Sequence, residues 1–211
     1  MPHRPAIQRP ADPRRRRLLA GFAGVVVGVV GVGARAAAPH AAAWSLDALM
    51  HGLAAHKSGA ARFRETRTLS MLDAPIESSG VLRFAAPDRL EMQVLEPQPQ
   101  SVLVRGDQVT LRLDGATHRF ALHAQPGLAA LVDGLRATLS GDVAGLRRAY
   151  VARLRGERRR WSLELVPRLP AARARISEID IGGSAAAVRS IAIYQADGDH
   201  SLMILHPLAR P

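Results

Sequence analysis

Eight histidines and eighteen carboxylates are the residues of this 211-residue chain best suited to hold a metal or move a proton. Their spacing argues against both. His51 and His56 stand five apart in a helical stretch, whereas side chains share a helix face at three or four. His118 and His123 are separated by an odd number along a strand-like run, which puts them on opposite faces if the strand continues. His3 and His40 lie in or beside an N-terminal segment with its own explanation. Asp199-His200-Ser201 is contiguous, but a triad is assembled by the fold from separated positions, and after Asp197-Gly198 it reads as part of a hairpin. No HExxH, GxSxG or phosphate-binding loop occurs. The absence of cysteine excludes disulfides, thiolate metal sites, a thiol nucleophile and a lipidated N-terminal Cys. The expectation is a protein that is not an enzyme and carries no metal or cofactor.

The remaining chemistry is apolar. Mean hydropathy is zero and 22% of residues are charged, the balance of a globular chain. The formal net charge is +11, but seven Arg against Asp12 in residues 1–43 supply +6 of it. Elsewhere the basic residues are scattered, and aromatic residues make up only 4%, too few for a stacking platform. Nucleic acid is therefore not an expected partner.

The first forty residues read as an address. Arg14-Arg15-Arg16-Arg17 is followed by an uncharged run from Leu18 to Gly33 and then by Ala34-Arg35-Ala36-Ala37-Ala38, small residues at the positions a signal peptidase needs. Sixteen residues span about 24 Å as a helix, short of the roughly 30 Å hydrocarbon core of a bilayer. Residues 1–36 are expected to be a cleaved signal peptide, 37–44 a linker, 45–206 one domain in the periplasm, and 207–211 a tail. The Arg run fits both the general and the twin-arginine export signal, and leaves the route open.

The elements after the address must arrange the apolar residues. Ser45 can cap a helix with Leu46, Leu49, Met50, Leu53 and Ala54 on one stripe, and Gly59 is read as its end. From Ala60 the period becomes two. Phe63, Leu69 and Met71 share a parity; Leu82 and Phe84, then Leu90, Met92 and Val94, then Val109, Leu111 and Leu113 alternate with polar residues. Asp73-Ala74-Pro75, Ala86-Pro87-Asp88, Glu96-Pro97, Gly106-Asp107 and Asp114-Gly115 punctuate the runs. Pro126-Gly127 opens a second helix with a stripe of Leu128, Leu131, Val132, Leu135 and Leu139, and Asp142 caps a short third one. Strand periodicity returns from Tyr150 to Leu205, with Gly182-Gly183 and Asp197-Gly198 read as hairpin turns. Tight turns between successive strands imply antiparallel pairing. The predicted fold is mainly β with a few helices: a ten- or eleven-stranded antiparallel curved half-barrel, with two or three helices as a lid over its concave apolar face. Such an arrangement can enclose an apolar cavity or a filled core, and composition does not separate the two.

One stretch resembles a known family. SGVLRFAAPDRLEMQVLEPQPQSVLVRGDQVTLRL, residues 79–113, is similar to the most characteristic part of the LolA family of periplasmic outer-membrane lipoprotein carriers. The matching elements are Gly80, the strand Val81–Ala85, Pro87, the strand Arg89–Leu95, Pro97, Val102–Asp107 and Val109–Leu113. Ala61-Arg62-Phe63-Arg64-Glu65 after a short helix also resembles the start of that family. The resemblance implies a half-barrel that carries the acyl chains of a lipoprotein or another lipid, as a monomer, from an inner-membrane donor to an outer-membrane acceptor. On that reading Leu49, Leu53, Leu82, Phe84, Leu90, Met92, Val94, Leu111, Leu113, Leu131 and Leu135 line the lipid site. In well-known carriers an Arg directly before the turn Pro bonds the lid and holds the empty cavity shut. Here that position is Ala86, which predicts a lid less tightly closed unless another Arg, Arg83 or Arg89, reaches the same groups. The sister receptor of the family requires a lipidated Cys that this chain lacks. The competing reading is a lipid-sensing interaction module that regulates an envelope-stress partner. Its relatives of that kind carry a further domain or a transmembrane segment, for which about 175 mature residues leave no space.

Overall fold

The computed structural model describes residues 44–208. The export segment, its cleavage positions and residues 209–211 lie outside the described residues.

Helix α1 (Leu46–Ala54) begins where Ser45 Oγ accepts the Ala48 N–H at 3.2 Å. It is followed by six strands in sequence: β1 (Ser58–Thr68), β2 (Ile76–Ala85), β3 (Arg89–Glu96), β4 (Gln100–Arg105), β5 (Gln108–Leu113) and β6 (Ala116–Ala121). A 3-10 turn (Leu122–Ala124) leads to α2 (Pro126–Ser140) and α3 (Val143–Ala149), the latter capped by Asp142, which accepts the Gly145 N–H at 2.8 Å. Then come β7 (Tyr150–Glu157), β8 (Arg160–Pro167), the single turn α4 (Pro170–Arg173), β9 (Ile176–Ser184), β10 (Ala187–Gln195) and β11 (His200–Pro207).

The eleven strands form one antiparallel sheet in the order β6-β5-β4-β3-β2-β1-β11-β10-β9-β8-β7. Two meanders are thus joined through the first and last strands, and β6 and β7 remain as free edges. The predicted open, curved half-barrel is what the chain forms. Its register carries the alternation of the sequence straight across the sheet. Phe63 faces Leu205 and Gly80, Leu82 faces Met92, Met92 faces Val102, and Val102 faces Leu111. These side chains share the inner face, and Arg62, Arg64, Arg83 and Gln93 share the outer one. On the other meander Leu163, Leu165, Ile179 and Ile181 are fully buried beneath the helices.

Several local expectations are corrected. Helix α1 stops at Ala54, and Gly59 belongs to β1. Met71 sits in a turn with 85% of its surface exposed, so the β1 periodicity does not extend to it. Gly182-Gly183 is not a turn. Both glycines lie inside β9, and the chain reverses at Ala185, which takes φ 51°. A Cβ on Gly182 would run into Ser190 Oγ, and one on Gly183 would run into the Trp161 ring. The pair serves close packing. His123 follows the end of β6 in the 3-10 turn, so the strand face argument does not apply to it. The one-turn α4, opened by Pro170, was not expected.

Candidate functional site

Helices α1 and α2 meet over the central strands because Gly141 allows it. This residue ends α2 in the left-handed conformation (φ 75°), and a Cβ there would lie 2.5 Å from Ala54 Cβ. Beneath their junction lies a cavity of about 270 Å³. Leu53 of α1 and Leu135 and Leu139 of α2 form its roof. Leu82, Phe84 and Leu90 form one wall, and Ile181, Ile191 and Leu205 the other. Gly59, Ala60, Ala61, Ala186 and Ala187 lie along the same space, and their small side chains leave it unfilled.

Polar groups contribute little. Thr138 Oγ1 donates to the Gly134 carbonyl of its own helix at 2.8 Å, and His56 Nδ1 lies 3.3 Å from the Gly52 carbonyl. A wall whose polar atoms are already engaged grips a ligand through contact area and imposes little direction.

Five of the eleven residues expected to line the site border this cavity: Leu53, Leu82, Phe84, Leu90 and Leu135. Leu49 and Val94 are buried in the core, and Met92 and Leu131 pack against it. Leu111 and Leu113 are partly exposed on the inner face of β5, away from the cavity. Ile181, Val188, Ile191 and Leu205 from the C-terminal strands complete the wall and were not anticipated. Their alternation was legible; that α2 crosses above them was not.

The lid is fastened from an unexpected direction. Ala86 supplies only its backbone N–H, which donates to the Lys57 carbonyl at 2.8 Å. Arg136, on α2 itself, reaches down to the strand ends: Nη1 donates to the Gly106 carbonyl at 2.8 Å and Nη2 to the Asp88 carbonyl. Neither Arg83 nor Arg89 does this; they pair with Glu91 on the outer face. One turn along α2, Asp133 lies 3.3 Å from His123 Nε2, whose Nδ1 lies 2.5 Å from Asp107 in the β4–β5 turn. The Asp107 hydrogen bond raises the His123 pKa above its ordinary value against some desolvation. In return the His123 backbone N–H, then its ring, lower that of Asp107.

An open antiparallel half-barrel with helices strapped over an apolar cavity defines a class of lidded folds built to enclose an apolar ligand. The family model for outer membrane lipoprotein carrier protein LolA-like proteins matches residues 36–210, and the chain belongs to that family. Among solved structures, a LolA superfamily protein from Nitrosomonas europaea matches with 10% identity and a TM-score of 0.46, over 80% of this chain and 95% of that one. A DUF1329 family protein from Desulfovibrio piger matches with 11% identity and a TM-score of 0.41, over 76% and 88%. MucB in its complex with MucA from Pseudomonas aeruginosa matches with 15% identity and a TM-score of 0.40, over 79% and 58%. No curated protein sequence matches the chain. Among the described residues no helix is long and apolar enough to cross a membrane.

Proposed function

We propose that this protein is a periplasmic carrier that holds acyl chains of a lipoprotein or another lipid in its half-barrel and moves them from an inner-membrane donor toward an outer-membrane acceptor. The observation that carries this reading is the unfilled apolar cavity beneath α1 and α2, in a chain of the lipoprotein-carrier family. Burying acyl chains is worth about 0.8 kcal/mol per CH₂, so a sixteen-carbon chain left in water costs roughly 12 kcal/mol. A carrier removes most of that cost, and a wall without directed polar contacts keeps release possible. No bond is made or broken, and the protein is not an enzyme.

The test is native mass spectrometry of protein purified from periplasm, with titration of an environment-sensitive acyl dye. Co-purified lipid or lipoprotein, and dye binding lost at least tenfold in Leu82→Asp while a cooperative melt persists, support the carrier. A parent that binds no dye and recovers a protein partner without lipid replaces it with the sensing module.

A further inference from the structure

The outer face of the sheet carries a second concavity, of about 710 Å³, on the side opposite the helices. Its origin is a bulge. The β2–β3 register slips between Ser79 and Gly80, so Ser79 pairs with Glu96, Gly80 pairs with Val94, and Leu95 is left over. A bulge re-aims side chains. Leu95, 49% exposed, forms one wall of the groove, Ile204 the other, and Val81 part of the floor.

Between these apolar walls stand Arg62 and Arg64, on the same face of β1. Their cross-strand neighbours are Val81 and Ser79 on one side and His206 and Ile204 on the other, none of them acidic. Among the described residues neither guanidinium has an ion-pair or hydrogen-bond partner. The same protein shows how it settles such a pair when it must. Arg153 and Arg155, also two apart on a strand, each bond Glu164 of the neighbouring strand at 2.7 Å. That carboxylate is held below its ordinary pKa, first by the Arg153 hydrogen bond. Two like charges side by side repel each other, and a carboxylate placed between them converts that repulsion into attraction. Glu96, the one acid lining the groove, lies one strand beyond Ser79, the neighbour of Arg64, and is engaged by Ser79 Oγ at 3.1 Å.

We propose that this groove is a docking site for an acidic, extended segment of a partner protein. One carboxylate sits between Arg62 and Arg64 as Glu164 does between its arginines, with apolar side chains against Leu95, Val81 and Ile204. Two residues along a strand span about 6.7 Å, a gap that a single carboxylate of an extended peptide can bridge. The recessed floor favours an inserted chain over a flat lipid surface. The strands beneath are paired on both sides, so side chains supply the grip. The site lies on the face away from the cavity and does not depend on the lipid reading.

The probe is a fluorescein-labelled peptide of alternating Val and Glu, eight residues long, with its Gln counterpart, measured by anisotropy against the intact protein. The Glu peptide is expected to bind at least tenfold more tightly than the Gln peptide, to weaken with added salt, and to leave acyl-dye binding unchanged. Arg62→Gln/Arg64→Gln, with an unaltered melting temperature, is expected to lose at least tenfold, and Ile204→Glu likewise. Absence of binding, equal affinity for the two peptides, or full affinity in the double variant overturns the proposal. Binding to phosphatidylglycerol vesicles without peptide binding overturns it in favour of a membrane surface.

Discussion

At the scale of single residues, the lid is held by cations on or beside α2. Arg136 makes two charge-assisted bonds to the Asp88 and Gly106 carbonyls, and such bonds are worth about 1.5–3 kcal/mol each. Arg136→Met removes both. The expected outcome is amide exchange in α2 at least tenfold faster, about 1.4 kcal/mol of closure, with faster spontaneous dye uptake and exchange in β8 and β9 unaffected. Ala86→Arg in that background is expected to restore part of the protection if position 86 faces the same lid groups. His123 adds a titratable clip between Asp107 and Asp133. Its pKa is raised from 6.5, so its contribution is complete below that value and is lost as pH climbs through the raised one. Asp107 is lowered from 3.8, so its share is present above 3.8 and is lost as pH falls through the lowered value. The difference in melting temperature between the parent and His123→Gln should therefore be greatest between about pH 3.8 and 6.5 and shrink on both sides. A pH-independent difference would show that the clip is not ionic.

At the scale of elements, periodicity carried most of the architecture. Each alternating run became a strand, and the stripe from Leu128 to Leu139 became α2. Leu53, Leu82, Phe84, Leu90 and Leu135 were legible as cavity residues because two periodic patterns with apolar faces must meet. Leu111 and Leu113 have the same alternation but lie on β5, beyond the reach of the cavity. Nothing in a one-dimensional pattern says where along the inner face a crossing helix lands. Gly182-Gly183 failed for a related reason: a glycine pair fits a turn or a slot for a neighbour, and the neighbour of Gly183, Trp161, is twenty-two residues upstream of it. Gly141 shows the element-level energetics best. Gly141→Ala must place a Cβ in the left-handed region, at about 1–2 kcal/mol, and also against Ala54. At roughly 2–4 °C per kcal/mol for a chain of this size, a loss of at least about 2 °C in melting temperature is expected, with wider separation of α1 from α2. An unchanged melt would mean that the helix junction is loose.

At the scale of the whole molecule, the carrier reading requires export, and the order of charge, apolar run and small residues from Arg14 to Ala38 supplies the motive. Mature protein recovered from the periplasm should begin between Ala37 and Trp44 by N-terminal sequencing, whereas intact chains starting at Met1 in the membrane fraction would refute this.

A closed barrel has a circumference set by its strand number and stagger, and widening it breaks ladder hydrogen bonds. This sheet has no such hoop. β6 and β7 are not bonded to each other, and the chain between them runs through the 3-10 turn, α2 and α3. The girth of the half-barrel is therefore governed by a helical belt whose buckles are Arg136 and His123, and letting it out severs no strand pairing. On the carrier reading, such a sheet is expected to act as an elastic cuff that fits its bore to the guest, so affinity for acyl groups should change gently with their bulk, where a closed barrel would impose a sharp size limit.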